Sequence, residues 1–67
     1  MASPVAFTPI VRYFDYKHLP ENLHEIGRDM LVMAKSMDQR LPDCAEKSAG
    51  LRKLLEAKDC FVRAALP

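Results

Sequence analysis

The sequence has no tryptophan, two glycines and two cysteines among its 67 residues. The glycines, Gly27 and Gly50, stand apart and each falls inside a stretch of helical character, so no glycine-rich loop is available to cradle a phosphate. Cys44 and Cys60 show no CxxC spacing, and His18 and His24 lie well upstream of both. Zinc sites ordinarily bring closely spaced ligand pairs, so the cysteines read as free thiols, neither bridged nor metal-bound. Charge of one sign is also missing: ten Lys and Arg against nine Asp and Glu leave +1. That balance argues against a strongly basic coat for DNA or RNA and leaves room for a local cationic pocket. No apolar run is long enough for a membrane span, and the N-terminus lacks the basic-then-apolar pattern of a secretory signal. No Ser/His/Asp or Cys/His set has catalytic spacing and the carboxylates are scattered, so neither an enzyme nor a cofactor is expected.

What is present is a hydrophobic fraction of 49%, enough for a folded chain. A chain this short buries only about 60% of its unfolded surface, and small folds are usually reinforced by disulfides, metal or self-association. With the first two set aside, self-association is the expectation.

The expected fold is all-α: an antiparallel two-helix hairpin with an extended N-terminal arm, assembled as a compact homo-oligomer. Residues 1–18 carry Pro4, Pro9 and four of the five aromatics, without helical periodicity. The run Ile10 to Tyr16 is β-prone but has no partner strand, so it reads as an extended arm lying on other elements. Residues 19–67 form the hairpin, with helices expected over about 20–41 and 44–65. Pro20 suits a first helical turn, and Leu23, Ile26, Met30, Met33 and Met37 recur at three and four residues as an apolar seam. The methionines are expected to fill the core. Leu41-Pro42 ends the first helix, because a residue before proline avoids the α region. Asp43 with Glu46 matches a capping box for the second helix. Leu51, Leu54, Leu55, Phe61, Val62 and Ala65 form that helix's apolar stripe, with Lys58 in the middle and expected to run its head to solvent. Arg52/Glu56 and Asp59/Arg63 are spaced as surface ion pairs, and Gly50 reads as a point of close helix approach.

The segment Arg12-Tyr13-Phe14-Asp15-Tyr16-Lys17-His18 alternates aromatics with cations. An aromatic face can stack on a nucleobase, and flanking cations can neutralise phosphate. Phe14, lacking a polar handle, reads as the anchor of the arm, with Arg12 and Lys17 either solvated or facing phosphate. Tyr16 is equally suited to stacking and to packing. Arg28 reads as a surface cation, Arg63 as the partner of Asp59 and His24 as an exposed helix residue; His18 stays open, at the end of the arm.

The run Phe14-Asp15-Tyr16-Lys17-His18-Leu19-Pro20, the Leu41-Pro42 turn and the stretch Glu46-Lys47-Ser48-Ala49-Gly50-Leu51-Arg52-Lys53-Leu54-Leu55-Glu56-Ala57 resemble the helical-hairpin domain of phage anti-CBASS and anti-Thoeris sponge proteins. The resemblance spans about residues 14–65. It implies a homohexamer in the cytoplasm of an infected bacterial host that sequesters cyclic oligonucleotide immune signals without cleaving them. It implies that Tyr16 stacks on a base of a cyclic dinucleotide and that a cation of the first helix, nearest Arg28, meets phosphate. Arg12, Lys17 and His18 join them as candidate ligand-binding residues. Arg63 is the nearest candidate for a second pocket taking cyclic trinucleotides, although Cys60-Phe61-Val62 replaces the usual tryptophan-asparagine region there. ADP-ribose-type signals are a further ligand class. Apart from the resemblance, the alternative is a helical-hairpin oligomer that binds another protein through its apolar face.

Overall fold

The computed structural model describes residues 7–66. The parts of the arm and of the C-terminus before and beyond them lie outside the described residues. Two helices pack on each other as a hairpin: α1, His24–Arg40, and α2, Ala45–Ala65. A 3-10 helix, Pro9–Phe14, lies against both, and a 3-10 turn, Glu21–Leu23, leads into α1.

The arm is therefore not extended over Pro9–Phe14 as its β-prone residues imply. Pro9 opens the segment with a φ already suited to a helical turn. Side chains three apart eclipse in a 3-10 helix, and this puts Val11 and Phe14 on one side, both buried. Burial of that pair decides the local conformation over strand propensity. Phe14 is fully buried and is the anchor expected of it. It joins Met30, Ala34 and Leu51 in the core, with Ile10, Leu31, Leu54, Leu55 and Ala57 packed around.

Helix boundaries follow the chain's punctuation. The first turn after Pro20 winds as 3-10, so α1 begins at His24 and not at residue 20. Leu41 is extended (φ −113°, ψ 146°), as the residue before Pro42 must be. The N-cap of α2 is Cys44 and not Asp43: its Sγ accepts from the Lys47 N–H at 3.5 Å. Asp43 is drawn away because its carboxylate pairs with the Lys47 ammonium.

Other expectations also change. Met30 is buried, but Met37 is half-buried and Met33 stands half in solvent, since the hairpin seam covers only part of their row. A Cβ on Gly50 would meet no heavy atom within 4 Å, so Gly50 is not a close-approach point. Gly27 is one instead. A Cβ there would fall 2.4 Å from Cβ of Tyr16 and 3.1 Å from Cδ1 of Leu19. The Arg52/Glu56 and Asp59/Arg63 pairs do not form; Nη2 of Arg63 donates to Sγ of Cys60 at 3.4 Å. Among the described residues the ion pairs converge on Lys47. No described helix is long and apolar enough to cross a membrane.

Candidate functional site

Two inward-turned lysines of α2 fix the arm and the hairpin turn. Lys58 does not reach solvent: it is buried, and Nζ donates to the carbonyls of Tyr13 (3.1 Å) and Asp15 (3.2 Å). These carbonyls close the 3-10 helix, where a cation also meets the negative end of the peptide dipoles. Lys47 serves α1 in the same way. Its Nζ donates to the carbonyls of Asp38 (3.1 Å) and Leu41 (3.3 Å), at the end of that helix, and pairs with the Asp38 carboxylate at 2.8 Å. Asp38 in turn accepts from the backbone N–H of Thr8 at 2.7 Å and from the Thr8 hydroxyl, tying the start of the arm to α1.

Charge and hydrogen bonding set the ionisation of this network. Burial pushes the Asp38 carboxyl up, but hydrogen bonds from Lys47 and Thr8 outweigh it and hold it down at about 2. The same bond to Asp38, followed by that to Asp43, raises Lys47 against the effect of burial.

Between the arm and α1 lies an open cleft of about 490 Å³, lined by Arg12, Asp15, Tyr16 and Lys17 from the arm and by Leu31 and Lys35 from α1. Phe7, Thr8, Pro9 and Val11 close the rest of its wall. The volume is within the roughly 300–1,000 Å³ usual for small-molecule sites. Three cations and one carboxylate therefore share the opening with two aromatic rings. The Lys35 ammonium stands 5.3 Å from the centroid of the Phe7 ring. The Arg12 guanidinium lies 5.1 Å from the Tyr13 ring centroid and donates to the Tyr13 hydroxyl at 3.1 Å. Asp15 is held below its ordinary value, foremost by the backbone N–H of Lys17, so at neutral pH it is an acceptor and not a proton donor.

Comparison of the chain with protein-family models, with curated proteins and with solved structures finds no match.

Of the candidate residues, the cleft brings together Arg12, Tyr16 and Lys17. Arg28 is exposed and does not line it, although it lies on the α1 stripe of Leu31 and Lys35, two turns before the lysine. His18 is exposed and outside the lining. Arg63 is exposed near the end of α2, also outside it. His24 is not freely exposed: its ring meets that of Tyr16 edge-on at 5.6 Å, and Nε2 lies 2.7 Å from the Leu19 carbonyl. Of the charged and aromatic residues lining the cleft, those that the sequence did not single out are Lys35 and Phe7. Lys35 follows Leu31 by four residues on α1, so the two share one face of the helix, and only the packing of the arm shows that this face borders the cleft.

A second, apolar groove lies beside the hairpin turn, lined by Met33, Met37, Leu41, Gly50, Leu51 and Leu54.

Proposed function

We propose that the chain binds cyclic oligonucleotides at the arm–α1 cleft and holds them without cleavage. The observation that carries this reading is the convergence of Arg12, Lys17 and Lys35 with Tyr16 on one opening of about 490 Å³. Cations meet phosphates through charge-assisted hydrogen bonds, and an aromatic face beside them stacks on a base. Tyr16 takes the stacking role. Lys35, facing the cleft from α1, takes the phosphate role that the family resemblance assigns to a first-helix cation, with Arg28 flanking it outside. The reading is one of binding alone, with the Asp15 carboxylate at the cleft accepting from the Lys17 N–H.

In this reading the protein is a counter-defence sponge in the cytoplasm of an infected bacterium, acting as a homohexamer as the sponge family implies. Symmetry suits the ligand: a cyclic dinucleotide presents two bases and two phosphates, and paired clefts from two copies offer two tyrosines and two sets of cations. The large apolar side chains left about half exposed, Val32, Met33, Leu41, Phe61 and Leu66, supply surface for the copies to cover. Thermal unfolding in the presence of cyclic di- and trinucleotides and ADP-ribose-type compounds tests the proposal. A midpoint that climbs with the concentration of one of them supports it. No shift with any compound of the panel rejects it.

The apolar groove around Met33, Met37 and Leu54 favours a second reading, in which the hairpin docks a partner protein's amphipathic helix. That reading predicts no response to the nucleotide panel.

A further inference from the structure

Tyr16 is held from below and behind by residues that do not line the cleft. Lys58, buried on α2, donates to the carbonyl of Asp15, which belongs to the peptide unit leading into Tyr16, and to the carbonyl of Tyr13 two residues earlier. These bonds join residues 43 and 45 positions apart, so they fix the arm to a helix on the far side of the chain. Gly27 lies directly under Tyr16, at a distance where any Cβ would collide. The Leu19 N–H donates to the Tyr16 carbonyl at 3.0 Å, and the His24 ring stands edge-on to the phenol.

We infer that Lys58 and Gly27 form a cradle that positions Tyr16, so that its ring is set at the cleft before any ligand arrives. The role given to the ring rests on the nucleotide-binding reading above, whereas the cradle is a property of the folded chain. The physical gain is preorganisation: a stacking ring already fixed loses less rotational freedom on binding than one on a loose arm. Among the described residues no carboxylate pairs with Lys58, and both of its hydrogen bonds go to arm carbonyls. Its removal therefore frees the arm without breaking an ion pair of the hairpin.

The test uses the full chain carrying Tyr13→Phe, which leaves Tyr16 as the one tyrosine in a protein without tryptophan. Acrylamide quenching of its fluorescence then reports the exposure of Tyr16 alone, and circular dichroism reports the helices. Lys58→Met is expected to raise the quenching constant about twofold or more while helix content stays. Gly27→Ala is expected to do the same by displacement of Tyr16, and it improves helix propensity, so it carries the test if Lys58→Met fails to fold. Both variants should weaken the binding of cyclic di-AMP or cyclic di-GMP about fivefold or more, the lower end of what one stacked base contributes. Unchanged quenching in the folded variants overturns the cradle. Raised quenching with unchanged affinity overturns its role in binding. If neither compound binds even the parent chain while quenching rises, the cradle stands and the nucleotide reading falls.

Discussion

A long cationic side chain inside an apolar stripe ordinarily carries its head to water. Lys47 and Lys58 turn inward because helix ends within reach present unpaired carbonyls, which a buried ammonium can satisfy as well as water does. Lys47 has the heavier duty, since it also neutralises Asp38, which in turn holds Thr8. Lys47→Met leaves the Asp38 carboxylate buried without its cation, and breaking one side of a buried pair is strongly destabilising. The expected outcome is a thermal midpoint lower by about 10 °C or more, read by circular dichroism. Acid acts on the same pair. Because the folded chain holds Asp38 at about 2, below its ordinary 3.8, the stability it contributes is present above that ordinary value. It is lost as the pH falls toward 2, where Asp38 takes up its proton in the folded chain too. The thermal midpoint should therefore drop between about pH 4 and pH 2, and Asp38→Asn should start lower and drop less over that window.

At the scale of elements, the two helices and the turn between them are legible in the sequence because each is signalled locally. The three-and-four spacing of Leu23, Ile26 and Met30 draws α1, and Leu41-Pro42 ends it where the structure does, within a residue. The 3-10 helix is not legible in the same way. Ile10, Val11 and Tyr13 individually favour strands, and only the burial of Val11 and Phe14 against a hairpin distant in sequence selects the tighter winding. The candidate site divides along the same line. Arg12, Tyr16 and Lys17 are neighbours on one segment and could be picked out together, whereas Lys35 joins them through the fold. The inward roles of Lys47 and Lys58 depend on carbonyls of other elements, which no composition or spacing reveals. The glycines show the same limit. Gly50, read as a close-approach point, faces open space, and Gly27 has that role because the arm folds back over it. Gly50→Ala is accordingly expected to stabilise α2 by about 0.5–1 kcal/mol, measured by denaturant unfolding. A loss of stability would mean that another chain packs on Gly50.

The whole molecule is short of interior. Among the described residues, six apolar side chains are buried, while Tyr13, Val32, Met33, Leu41, Phe61 and Leu66 remain about half exposed. A single hairpin with that much uncovered apolar surface is expected to associate with further copies, as small folds commonly do. Light scattering should return a mass that is a multiple of 7.6 kDa, sixfold if the resemblance to the sponge family extends to assembly. A well-folded species of single-chain mass would contradict that expectation and would leave the cleft to bind its ligand from one chain alone. The most direct test of the cleft itself is calorimetric titration of cyclic dinucleotides into the intact protein and into Tyr16→Ala. Saturable binding to the intact protein, weakened in the variant by about 1–3 kcal/mol for each stacked base, is the predicted result. Equal affinities in the two proteins, or no heat of binding in either, would contradict it.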